Sequence, residues 1–196
     1  ADVSANDVAA ILYSGGTTGK SKGIMLTNYN FNSVAIDSID SCACLNQGDR
    51  VLALLPVFHG FGLGVCVHTT FLFGGTSLLI PKVKASDFGK LLMQVKPNVI
   101  AAVLSLYSAL LRENSLKPDF SYVKCIISGG DSMHLETKKK VDEFFLSHGS
   151  KVKVREGYGL TECVTGTCLL PENSDKDGSV GLPYKSFLFK IADPVS

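Results

Sequence analysis

Residues 13–23 read Tyr13-Ser14-Gly15-Gly16-Thr17-Thr18-Gly19-Lys20-Ser21-Lys22-Gly23. Glycine lets a backbone take φ > 0 and approach a ligand closely. Successive N–H groups in such a loop form an anion-binding concavity. Thr17 and Thr18 add hydroxyl donors, and Lys20 and Lys22 add charge. The guest that suits this loop is a polyphosphate. Gly19-Lys20-Ser21 matches the second half of the P-loop pattern G-x-x-x-x-G-K-[ST], but Ser14 stands where the first glycine belongs. A P-loop also runs directly into a helix whose N-terminus holds the phosphate. Here residues 23–27 read as a strand, and the next helix signal is Asn28. The run therefore reads as an exposed, mobile clamp between two strands, set against the plainer alternative of a Gly/Ser/Thr hairpin turn.

Outward from the loop, strand and helix patterns alternate. Residues 8–13 form a short apolar run. Asn28 reads as an N-cap, with Phe31, Val34, Ala35, Ile39 and Cys42 at helical spacing. Strands are expected at 50–55, 76–80, 99–104, 123–127 and 152–155. Helices are expected at 59–73, 88–95, 105–111 and 133–147. Repeated β-α units of this kind predict an α/β fold with a largely parallel β-sheet covered by helices. Ligands in such sheets bind beyond the carboxyl ends of the strands. Gly129 and Tyr158 both fall just past an expected strand end.

Composition sets the bounds. The chain has 196 residues, 45% of them hydrophobic and 19% charged, with a net charge of +1. That is enough for one substantial core. The charge gives no argument for a nucleic-acid partner, and Lys138-Lys139-Lys140 reads as the wet face of a helix. No apolar run reaches membrane-spanning length, and no secretory leader is visible. The six cysteines show neither C-x-x-C nor zinc-finger spacing, so a reduced, cytoplasmic protein is expected.

Several ordered segments resemble one family. The loop is similar to the phosphate-binding signature of the AMP-forming adenylating enzymes, which include acyl-CoA synthetases, luciferases and peptide-synthetase adenylation domains. It departs from the commonest form at Gly15, usually Ser, and at Ser21, usually Pro. Leu55-Pro56-Val57-Phe58-His59-Gly60-Phe61-Gly62, Ile127-Ser128-Gly129-Gly130-Asp131 and Gly157-Tyr158-Gly159-Leu160-Thr161-Glu162 follow in the family's order. Residues 178–183 form a weaker fifth match. Fatty acyl-CoA ligases are the nearest in pattern.

The resemblance implies ATP, Mg²⁺ and coenzyme A as the small-molecule partners, with a carboxylic, fatty acid as substrate. It assigns Ser14, Gly15, Gly16, Thr17, Thr18, Gly19 and Lys22 to the phosphates. Thr161 falls to the α-phosphate and Glu162 to Mg²⁺. Gly129, Gly130, Asp131, Glu156, Gly157, Tyr158 and Gly159 surround adenine, and Tyr158 stacks on it. His59 sits beside the carboxylate being activated, with Phe61 and Gly62 at the mouth of an acyl tunnel. Lys22, His59, Thr161 and Glu162 form the catalytic set. Each has a bland counterpart. Glu162 could be a first-turn helix carboxylate held by the dipole, Tyr158 a half-buried core tyrosine, and His59 a hydrogen-bonded core histidine.

The resemblance also bounds the chain. Residues 1–196 are expected to be a central fragment of the AMP-binding (adenylation) domain, with the N-terminal subdomain and the C-terminal lid domain absent. Asp193 is expected in a late strand and is not the family's ribose-binding Asp. Self-association through surface exposed by truncation is expected. The alternatives are an adenylation domain that loads a carrier protein and a non-catalytic nucleotide-binding relative.

Overall fold

The computed structural model describes residues 2–15, 20–113, 117–174 and 176–193. Two strands, β1 (Val8–Ser14) and β2 (Lys22–Thr27), pair antiparallel as a separate hairpin. Thr27 turns the chain from β2 into α1 (Asn28–Asp40). It is the true cap: its hydroxyl accepts the Asn30 N–H at 3.2 Å, and the Asn30 carboxamide oxygen accepts the Thr27 N–H at 2.9 Å. This reciprocal pair is a capping box with Asn in the acceptor position. Asn28, expected as the cap, instead donates its side-chain amide to the Ser4 carbonyl at 3.0 Å.

The main sheet contains β3 (Arg50–Ala53), β4 (Thr76–Leu79), β5 (Val99–Ala102), β6 (Cys125–Ser128), β7 (Val154–Gly159), β8 (Gly166–Leu169) and β9 (Leu182–Pro183). Their order is β4-β3-β5-β6-β7-β8-β9. Pairings from β4 through β7 are parallel, and β8 and β9 continue antiparallel. The chain is thus α/β with a largely parallel sheet. β7 runs further than expected, because Tyr158 pairs with Cys168 of β8. Tyr158 therefore lies within a strand and not past its end. Residues 191–193 form no strand, contrary to the expectation for Asp193.

Strand alternation divides the core. Leu52, Ile100, Ala102 and Ile126 face one side, under α3 (Phe88–Val95), α4 (Leu104–Leu110) and α5 (Leu135–Ser147). Leu92, Tyr107, Val141 and Phe145 supply the helical half of that layer. Val51, Ala53, Val99, Ala101 and Cys125 face the other side. There the cover is a helix over Phe61–Thr69 whose turns are the wider π type, with α1 packed against it. It passes into the short α2 (Thr70–Leu72). Residues 59–73 were expected to be one buried helix. The helical part begins at Phe61, and His59 is exposed.

Two surface expectations change. Lys138 is buried, with its ammonium 2.8 Å from Asp142, while Lys139 and Lys140 are exposed. On α1 the buried face includes Asp37 and Ser38, whereas Ile39 is only partly buried. Asp37 can be buried because its carboxylate accepts the backbone N–H and hydroxyl of Ser186.

Candidate active site

One cavity of about 520 Å³ opens beyond the carboxyl ends of β3, β6 and β7. Ser14, Gly15 and Lys22 reach its mouth from the hairpin, His59 and Phe61 from the segment after β3, Gly129 and Gly130 from the end of β6, and Gly157–Glu162 from β7 and beyond. The structure thus brings Ser14, Gly15, Lys22, His59, Phe61, Gly129, Gly130, Gly157, Tyr158, Gly159, Thr161 and Glu162 to one site. Gly16, Thr17, Thr18 and Gly19 lie outside the described residues.

The mouth is polar, and the depth is largely apolar, with Ser38, Thr69 and Thr70 also in its lining. Behind Phe61 the wall passes to Val51, Val65, Phe73, Val99, Ile127 and Leu169, closed by Cys42, Leu45 and Tyr184. This apolar chamber lies between the sheet and the layer formed by α1 and the π-helix. The sequence reading set Phe61 at the mouth of an acyl tunnel but named none of these wall residues, although period-two alternation in β3, β5 and β6 already sets Val51, Val99 and Cys125 on one face.

Thr161 and Glu162 sit on a single three-residue 3₁₀ turn, Thr161–Cys163. The chain then reverses at Val164, where φ is 66° and ψ is −58°. The Thr165 N–H donates to the Cys163 carbonyl at 2.7 Å, closing a γ-turn of the rare strained hand. Val164 is wholly buried against Leu12, Leu26, Phe31 and Val34. That packing holds a β-branched residue in a costly conformation. Glu162 is exposed and has no ion-pair partner among the described residues. No helix follows it, so the reading of a carboxylate stabilised by a helix dipole loses its helix. Burial pushes the Cys163 thiol up, and the Glu162 charge adds to this. The thiol form is favoured, which weighs against a nucleophilic role for Cys163.

His59 Nδ1 accepts the Phe61 N–H at 3.1 Å. In the neutral ring this leaves the proton on Nε2, a donor at the cavity wall. The Phe61 ring stands over Gly129, where a β-carbon would meet its edge at 3.2 Å. Tyr158 is 43% exposed, and its carbonyl accepts the Thr167 hydroxyl at 3.1 Å. A strand therefore fixes the backbone that carries this ring.

Three expected residues are placed elsewhere. Gly62 is buried with its Cα against the carbonyls of Leu55 and Pro56, so it packs the motif and does not line the cavity. Glu156 is 6% exposed, its carboxylate accepts the Met133 N–H at 3.3 Å, and its carbonyl accepts the Leu170 N–H at 2.9 Å. Asp131 is exposed beside a shallow groove with Ser105 and Arg112, and its carboxylate accepts the Ser132 N–H.

A family model described as AMP-binding enzyme matches residues 1–196. A long-chain-fatty-acid–CoA ligase of Bacillus subtilis is 31% identical over 189 residues, covering 92% of this chain and 32% of that protein. A luciferin 4-monooxygenase of Nipponoluciola cruciata is 33% identical over 190 residues, covering 95% of this chain and 34% of that protein. The solved structure of O-succinylbenzoate coenzyme A synthetase from Bacillus subtilis, in complex with ATP and magnesium ion, superposes with a TM-score of 0.83. It is 28% identical, with 99% of this chain and 39% of that one covered. The chain spans about a third of the length of these curated relatives. No helix among the described residues is long and apolar enough to cross a membrane.

Proposed function

The chain belongs to the AMP-binding enzyme family, and from that premise we propose that it forms the central part of an adenylating acyl-CoA ligase. In this reading ATP lies at the cavity mouth and the apolar chamber takes the chain of a fatty or similarly apolar acid. The observation that carries it is the cavity itself: groups suited to a polyphosphate and a cation, drawn from four distant segments, share one space with an apolar chamber.

Two anions must meet in such a reaction. The acid's carboxylate oxygen attacks the α-phosphorus of ATP, and pyrophosphate leaves with the electrons of the broken P–O bond. Coenzyme A then displaces AMP through its thiol, giving the thioester. The chain's part is positioning and charge neutralisation. Lys22 and the loop amides hold the β- and γ-phosphates, and Thr161 donates to the α-phosphate. Glu162 holds Mg²⁺, which supplies cationic charge at the phosphates and is commonly bound by one or two carboxylates with the substrate's own oxygens. His59 Nε2–H orients the carboxylate, and Tyr158 offers its ring to adenine. The chamber behind Phe61 gains affinity from apolar surface removed from water.

The chain's share of its relatives' length supports the reading that residues 1–196 work within a larger polypeptide. The six free cysteines support a reducing, cytoplasmic setting. ATP–pyrophosphate exchange with the complete polypeptide, across alkanoic, aromatic and amino acids, tests the proposal. Exchange with apolar acids and thioester formation with coenzyme A are expected. Exchange confined to amino acids, with transfer to a carrier protein, overturns it.

A further inference from the structure

Three thiols converge at the closed end of the chamber. Cys42 and Cys44 lie on the turn after α1, and Cys125 opens β6 on the sheet face below. Cys42 and Cys125 both line the chamber. Cys42, Cys44 and Cys125 belong to one packed cluster on this face of the sheet. Arg155 Nη1 donates to Cys42 Sγ at 3.4 Å. The guanidinium cannot swing away, because Nε donates to the Leu170 carbonyl at 2.6 Å and Nη2 to the Ser41 carbonyl at 2.7 Å. Its Nη1 also lies 3.4 Å from Glu172 Oε1.

A fixed cation aimed at a sulfur favours its thiolate. The neighbouring Cys125 and the Arg155 guanidinium lower the Cys42 pKa against burial, and Glu172 opposes them. Cys125 is held well above the ordinary thiol value. Cys66, in the same apolar layer, is pushed up to about 12 by burial. One sulfur of the layer is thus distinguished from its neighbours.

We infer that Cys42 is a peroxide-reactive thiolate and Cys125 its resolving thiol, so that a hydroperoxide entering the chamber converts the pair to a disulfide between the α1 turn and β6. The Cys42 thiolate attacks the outer peroxide oxygen, the O–O bond breaks, and the departing oxygen takes a proton. Cys42 is now a sulfenic acid. Cys125 loses its proton and attacks the Cys42 sulfur, and hydroxide leaves as water. The two thiols are oxidised by two electrons and the hydroperoxide is reduced to an alcohol, or to water when it is hydrogen peroxide. Arg155 is a positioning residue here. The inference uses no nucleotide or acid and stands apart from the proposed ligase reaction.

Hydrogen peroxide and the complete polypeptide test it, with the products mapped as non-reduced peptides by mass spectrometry. A Cys42–Cys125 cross-link reversed by dithiothreitol is expected. Cys44→Ser should retain the cross-link and Cys42→Ser should abolish it. Cys125→Ala should stop at a Cys42 sulfenic acid captured by dimedone, which keeps the test sound if Cys42→Ser misfolds. Absence of the wild-type cross-link, a Cys44–Cys125 cross-link in its place, or absence of dimedone capture at Cys42 in Cys125→Ala overturns the inference.

Discussion

The backbone carbonyl of Val164 occupies the space that a β-carbon on Gly60 would need. Gly60 follows His59, and Val164 ends the turn that carries Thr161 and Glu162. The two motifs therefore meet backbone to backbone, and the strained turn at Val164 closes directly over the start of the π-helix. This contact sets where His59 stands relative to Glu162.

Gly60→Ala should consequently destabilise the fold and separate the motifs. Overpacking a filled site typically costs about 1–3 kcal/mol, and here the obstacle is backbone, which cannot rotate aside. Urea unfolding should show a lower midpoint with an unchanged slope. An unchanged midpoint would mean that the two segments are not held in contact.

Much of this architecture was legible in the sequence. β1 and β2 flank the glycine-rich run, and the alternating β-α pattern gave the parallel sheet. The π-helix was not legible, because Phe61–Thr69 is apolar all round and carries no periodicity to distinguish turn types. The buried polar face of α1 was hidden for another reason: Asp37 is satisfied by Ser186, 149 residues away. The site motifs were readable singly. The wall of the chamber behind them was not, since it needs Cys42, Val65, Val99 and Tyr184 from separate layers.

Glu162→Gln should leave stability alone and lower adenylation. The side chain is exposed and holds no described ion pair, so the fold loses nothing with its charge. A lost charge-assisted contact is worth about 1.5–3 kcal/mol, or roughly tenfold or more in rate. Pyrophosphate exchange at limiting Mg²⁺ should show the fall, and equal exchange by the variant would assign Glu162 to another role.

Asp142→Ala should cost more than Lys138→Ala. The Asp142 carboxylate accepts the Lys138 ammonium at 2.8 Å and the Val154 N–H at 2.7 Å, so its loss strands both. Breaking a buried pair by removing one partner costs about 3–5 kcal/mol. Removing Lys138 leaves the carboxylate its Val154 bond and some access to water. Thermal unfolding of the two variants checks the order, and a larger loss in Lys138→Ala would contradict it.

Residues 1–196 alone should bind adenine nucleotides weakly, form no acyl-CoA and self-associate. The chain spans about a third of its relatives' length, so binding energy that positions ATP and excludes water is expected from other parts of the polypeptide. The surface also carries unpartnered apolar side chains. Leu188 and Ile191 are fully exposed, and Ile11, Tyr13 and Met25 stand on the outer face of the hairpin. Large exposed apolar patches mark sites of association. Light scattering should report a mass above the monomer's 20.9 kDa, and incubation with a fatty acid, ATP and coenzyme A should give no thioester. Thioester synthesis by a monodisperse monomer would show that these residues carry the whole reaction, and the reading as part of a larger ligase would fall.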